Sequence, residues 1–212
     1  MDFIELKGYK SIRELKLELK PINILIGANG AGKSNFISFF EFLNQLYERN
    51  LQEYVSLKGG EDKFLYQGGK ITTEIKAHLS FNNGVNGYGF GLGKTNDGFI
   101  FTNETMYYES NPWDMPNYGK EARIKTNQIG RAKYVNDYLN SYRKYHFHDT
   151  GKNAAFNKMS HVENDSYYLY EEGGNLAAFL FTISILDSIV YQRIIKTIQS
   201  IAPYFSDFYF QP

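Results

Sequence analysis

Eight consecutive residues, Gly27-Ala28-Asn29-Gly30-Ala31-Gly32-Lys33-Ser34, constrain this 212-residue chain more than any others. They fit the pattern Gly, four residues, Gly-Lys-Ser/Thr, in which a glycine-rich turn points successive backbone N–H groups inward to form a nest for a polyphosphate. The flanks suit that geometry. Ile22-Asn23-Ile24-Leu25-Ile26 is an apolar run of strand length, and the residues from Lys33 onward carry Phe36, Phe39, Phe40 and Leu43 at helical spacing. A helix beginning at the nest adds the positive end of its dipole. Gly27, Asn29, Gly30, Ala31, Gly32, Lys33, Ser34 and Asn35 are therefore the candidate nucleotide-binding residues. Lys33 reaches the β- and γ-phosphates in this reading, and the Ser34 hydroxyl ligates Mg²⁺.

The rest of the chain reads as alternating strands, then helices. Residues 2–7 alternate, Gly8-Tyr9-Lys10-Ser11 turns, and 12–20 alternates again with Leu15, Leu17 and Leu19 on one face. Pro21 then closes a hairpin into the run 22–26, predicted as a buried strand. A helix spans about 33–49. Three strand-like runs follow at 71–81, 85–92 and 99–108, the last two separated by Asn96-Asp97-Gly98, and together they predict an antiparallel meander beside the nucleotide-binding core. Residues 110–120 read as loop and about 121–144 as helix, with Tyr134, Tyr138, Tyr142 and Tyr145 on one face. The spacing next predicts a helix over 176–186 behind Gly173-Gly174-Asn175. A second helix, capped by Asp187, runs to about 202 with Val190, Ile194, Ile198 and Ile201 as its apolar stripe. Residues 205–210 resemble the start of another strand.

Composition narrows the classes. Twenty-three Lys and Arg balance twenty-three Asp and Glu, so there is no global electrostatic case for nucleic acid or membrane. The absence of cysteine excludes disulfides, thiolate metal sites and cysteine nucleophiles. The first residues, Met1-Asp2-Phe3-Ile4-Glu5, are acidic where a secretory leader is basic, and no apolar run reaches bilayer length; a cytoplasmic protein with no membrane partner is the expectation.

Two further clusters bear inspection. The stretch holding Lys120, Arg123, Lys125, Arg131, Lys133, Arg143, Lys144 and Lys152 is the most basic in the chain, and tyrosines interleave with it. Such a pattern fits a nucleic-acid surface, but a tyrosine stripe at this spacing is more often a packed helix face ringed by solvated lysines. His146 and His148 share one side of an alternating run, yet no third ligand stands at a familiar metal-binding spacing, which favours a structural role.

A phosphate nest binds nucleotide; hydrolysis also needs a carboxylate for Mg²⁺ and a group that orients water. No apolar strand ending in Asp-Glu and no Leu-Ser-Gly-Gly segment appears. Ile4-Glu5-Leu6-Lys7-Gly8-Tyr9-Lys10-Ser11-Ile12 followed by Ile24-Leu25-Ile26 and the octet with Asn35 nevertheless resembles the opening of an SMC/RecF-type ABC ATPase. More closely, it resembles bacterial predicted AAA-family ATPases of the ABC type near RecF and the OLD proteins. Tyr145-His146-Phe147-His148-Asp149-Thr150 and Gly174-Asn175-Leu176-Ala177-Ala178-Phe179-Leu180 resemble later segments of the same family.

The resemblance implies an α/β fold, a P-loop NTPase of ABC-ATPase head type, here its N-terminal lobe with an antiparallel β-subdomain and a helical segment. Its parts would be 1–50 (strands, P-loop, first helix), 51–109 (meander), 110–165 (loop and helical insertion) and 166–212 (helices returning to the core). It also implies Mg-ATP as ligand, and a second head (a homodimer) or a C-terminal lobe as partner for hydrolysis. The wider expectation is a role in DNA repair or phage defence with DNA or a nuclease as a further partner. By the same resemblance Gln67 is the candidate for the glutamine that touches Mg²⁺ and attacking water, and Lys10, Ser11 and Arg13 are candidates for adenine contact. The chain ends before the family's later motifs, so an N-terminal portion is expected. The rival reading is a nucleotide-gated binding module that switches partner association without turnover; a small-molecule kinase fits the meander poorly.

Overall fold

The computed structural model describes residues 1–127, 130–142, 145, 154–155 and 159–210. These fall into two compact units, 1–142 and 143–212.

The first unit is built on one six-stranded sheet. Strands β1 (Phe3–Tyr9), β2 (Ile12–Glu18), β3 (Glu74–Phe81), β4 (Asn86–Thr95), β5 (Gly98–Tyr108) and β6 (Asn111–Asp114) lie in the order β2-β1-β3-β4-β5-β6. Every neighbouring pair is antiparallel. The meander is thus not a layer beside a separate core: β3 pairs directly with β1, opposing Leu6 to Ala77 and Ile4 to Leu79.

Strand alternation decides which face is buried. Ile4, Leu6, Ile75, Leu79, Tyr88, Phe90, Leu92, Phe99 and Phe101 are buried on the inner face. Helix α1 (Lys33–Tyr47) covers them with Phe39, Phe42, Leu43 and Leu46, at i, i+3, i+4 and i+7. Tyr9 joins helix and sheet: its ring lies 5.4 Å from both Phe39 and Phe42, and its hydroxyl pairs with Ser38 Oγ at 3.1 Å. Each fully buried side chain of this size contributes about 2–3 kcal/mol by leaving water. On the outer face β4 presents Gly87 and Gly89, where a Cβ would stand 3.1 Å from Tyr107 atoms; their bareness makes room for that ring. Tyr107 in turn meets His78 edge-on at 4.5 Å.

Helix α2 (Leu51–Leu57) is held to the sheet by side chains distant in sequence. Glu121 accepts from the N–H groups of Leu51 and Gln52, capping a helix whose own Asn50 makes no side-chain cap. Gln52 donates to the Phe99 carbonyl and accepts from the Phe99 amide. Glu104, only 2 % exposed, accepts from Tyr88 Oη at 2.8 Å, Asn117 Nδ2 at 2.6 Å and the amides of Arg123 and Ile124. A buried carboxylate is tolerated because four donors surround it.

Several expectations are corrected here. Residues 22–26 form no strand and are not buried: Ile22, Ile24 and Ile26 are 81, 78 and 90 % exposed. Among the described residues no strand lies alongside to complete their hydrogen-bond ladder, and a lone extended segment in water keeps its backbone solvated. The turn expected at Gly8–Ser11 joins β1 to β2, but no second hairpin forms at Pro21. Residues 111–114, expected as loop, form edge strand β6, where Pro112 is tolerable and Trp113 stays 71 % exposed. The helix expected over 121–144 is shorter: after a 3₁₀ turn at Ile124–Thr126, helix α3 covers Ala132–Ser141. Its buried face is Ala132, Val135, Asn136 and Leu139, so the tyrosine stripe divides, Tyr138 stacking on Phe81 at 4.9 Å while Tyr134 is exposed.

In the second unit, helix α4 (Val162–Asp165) precedes α5 (Leu176–Leu186) and α6 (Ser188–Ile201). Asp187 caps α6 by accepting from the Val190 amide at 3.0 Å. Fully buried Asn175 accepts from the Tyr170 amide and donates to the carbonyls of Asp165 and Tyr168, tying the turn before α5 together. The buried stripe of α6 is Tyr191 and Ile195, one residue on from the expected Val190 and Ile194. Residues 205–210 are not a strand; Phe205, Phe208 and Phe210 form an aromatic cluster with Phe181 and Tyr191.

Candidate functional site

The octet wraps the N-terminus of α1. Gly30 (φ 85°) and Gly32 (φ 94°) occupy the left-handed region that side chains avoid, and Gly32 is the N-cap. Ala31 N–H donates to Ala28 O at 3.2 Å, forming a tight turn. Lys33 Nζ curls back and donates to the carbonyls of Gly27 at 2.6 Å and Ala28 at 2.8 Å. The amides of Gly30, Gly32, Lys33 and Ser34 donate to no acceptor among the described residues, and neither does the Ser34 hydroxyl. An ammonium, amides without an acceptor among the described residues and a hydroxyl at a helix N-terminus are the donor types that a Mg-polyphosphate takes. The chain fits that ligand.

The β1–β2 turn rests against this helix start. Asn35 Nδ2 donates to Ser11 Oγ at 2.8 Å, and a Cβ on Gly32 would stand 3.1 Å from the same oxygen. Lys10 Nζ donates to Ser38 Oγ at 2.9 Å and lies over the Phe64 ring; Ser38 donates in turn to the Asn35 carbonyl. A cavity of about 600 Å³ opens here, lined by Lys10, Ser11, Asn35, Lys63, Tyr66 and Gln67 among others. The structure therefore brings Lys10, Ser11, Asn35 and Gln67 to one cavity, while Lys33 and Ser34 do not line it. Arg13 is exposed on β2 outside that lining.

Sequence reasoning missed Ser38, Lys63 and Tyr66. Ser38 was within reach, since it lies one helical turn after Ser34 on the same face. The other two carry no local signal.

Four cations of the basic stretch make contacts within the fold. Lys120 donates to Asp97 O at 2.9 Å, Arg123 donates to Pro116 O, Lys125 pairs with Glu48, and Arg131 stacks on Tyr108. These cations hold the fold. His146 and His148 lie outside the described residues, as do Arg143, Lys144 and Lys152. Among the described residues no group of three His, Cys, Asp or Glu side chains is placed to hold a metal, and no helix is long and apolar enough to cross a membrane.

Comparison with known proteins gives the chain a family. A family model described as AAA ATPase domain matches residues 1–210. Over 52 residues the chain is 40 % identical to the tungstate uptake system ATP-binding protein TupC of Campylobacter jejuni subsp. jejuni serotype O:2. That stretch is 24 % of this chain and 16 % of the relative, so the chain matches only a small part of that protein's length.

Proposed function

The chain belongs to the AAA ATPase domain family, and on that premise we propose that residues 27–35 bind Mg-ATP for an SMC/RecF-like ABC-type ATPase. The carrying observation is the Lys33 ammonium folded onto the Gly27 and Ala28 carbonyls amid unpartnered amides at the start of α1. A triphosphate offers that ammonium negatively charged oxygens in place of two neutral carbonyls, which adds ion-pair attraction to hydrogen bonds whose donor is already charged. The amides of Gly30, Gly32, Lys33 and Ser34 receive the remaining oxygens, and the α1 dipole favours their charge. Mg²⁺, when bound, neutralises phosphate charge; the Ser34 hydroxyl is the group on this chain that would hold it.

Hydrolysis, in this reading, is completed by a C-terminal lobe or a second head that supplies the metal-binding carboxylate and closes over the nucleotide. The likeness of the segments at 4–12 and 24–35 to SMC/RecF heads supports that arrangement, and with it a role in DNA repair or phage defence alongside DNA or a nuclease.

Calorimetric titration with Mg-ATP tests the binding claim. Saturable binding that Lys33→Ala weakens about a hundredfold is expected, the loss of charge-assisted bonds to phosphate being worth about 3 kcal/mol. Equal affinities in the two proteins would reject it.

A further inference from the structure

A triphosphate gripped by residues 27–34 must leave its nucleoside outside the loop, and the cavity of about 600 Å³ begins one residue further on, at Asn35. It is a shallow depression open to solvent, so a base would rest against its wall rather than inside it. Its far wall is fixed by backbone pairing to β1: Lys10 N–H donates to Phe64 O at 2.8 Å and Tyr66 N–H to Gly8 O at 2.9 Å. Gln67 follows directly, in a left-handed conformation at φ 55°. Its Nε2 donates to Tyr66 Oη at 3.2 Å, and its Oε1 has no partner among the described residues.

A primary amide that keeps one N–H and a carbonyl oxygen in reserve matches the adenine edge, where the N6 amino donor stands beside a ring-nitrogen acceptor. The N1–H and N2 amino donors of guanine would instead call for a carboxylate. The carboxylate in this cavity, Asp62, is already engaged: its Oδ1 accepts from Lys94 Nζ at 2.5 Å and from the Gly69 amide at 3.2 Å. We infer that Gln67 is a specificity-determining residue that reads the nucleobase and selects adenine over guanine, rather than a group beside Mg²⁺ and water. The inference rests on the reading of residues 27–34 as the triphosphate site.

Binding of Mg-ATP, Mg-GTP and inorganic tripolyphosphate to the full chain, to Gln67→Ala and to Gln67→Glu tests it. The side chain is exposed, so both variants are expected to fold. Wild type should bind Mg-ATP about tenfold more tightly than Mg-GTP, the worth of one well-formed hydrogen-bonded pair. Gln67→Ala should bring the two nucleotides level while leaving tripolyphosphate affinity unchanged, and Gln67→Glu should reverse the preference. Tripolyphosphate binding that Lys33→Ala weakens, with an ATP-to-GTP ratio that neither Gln67 variant moves, would overturn the base-reading role alone. Failure of wild type to bind tripolyphosphate, or indifference to Lys33→Ala, would remove the phosphate site and this inference with it.

Discussion

At Gly8 the backbone turns to φ 75° and runs so close to β3 that a Cβ would collide with the Glu74 carbonyl oxygen and stand 3.0 Å from Thr72 Cγ2. The Glu74 carbonyl is strand backbone and cannot yield without disturbing β1 and β3, so Gly8→Ala should cost about 3 kcal/mol in urea unfolding, combining strain at positive φ with overpacking. His78 gives a pH signature. Burial beside Phe3 and Tyr107 holds its imidazole below the usual histidine range, against a smaller opposing pull from Glu5. The unfolded chain therefore binds a proton that the folded chain refuses, and stability falls as pH drops below about 6.5. Melting curves from pH 7 to pH 5 should show that slope, and His78→Gln should flatten it. Residues such as Gly30, Gly32 and Lys33 were legible in sequence because their geometry is settled within a few bonds. Ser11 and Ser38 were less so, because their partners Asn35 and Lys10 lie more than twenty residues away.

Elements follow the same division. Helix α1 and strands β3, β4 and β5 could be read from periodicity, since each has both an apolar face and something to lay it against. The run 22–26 has the composition of a strand without a neighbour among the described residues, and composition alone does not make a ladder. Ile24→Asn should accordingly change the unfolding free energy by less than about 0.5 kcal/mol, as exposed positions do; a loss of several kcal/mol would show that Ile24 is buried after all. Helix α2 depends on a cap no local pattern announces. Glu121→Ala should remove about 1 kcal/mol, measurable as a lower urea midpoint, whereas Glu53→Ala on the exposed side of the same helix should not.

Across the whole molecule the aromatic content, 18 Tyr and 17 Phe, is chiefly a matter of packing. Burial raises the phenol pKa of Tyr9, Tyr54, Tyr88 and Tyr142, and burial with the neighbouring Asp207 carboxylate pushes Tyr191 up to about 12. These groups contribute stability that is complete below pH 10, where the unfolded chain also keeps its phenol protons, and that fades as pH rises beyond it. Alkaline titration followed by phenolate absorbance should therefore show these buried phenols ionising only together with loss of far-UV circular dichroism. The single tryptophan stands apart from this. Trp113 projects into solvent from the edge of the sheet, so its emission begins close to that of free indole and changes little when the strands come apart. Acrylamide will quench it in the native protein almost as readily as in urea, and an unfolding curve drawn from that signal would record almost none of the collapse of the core behind it.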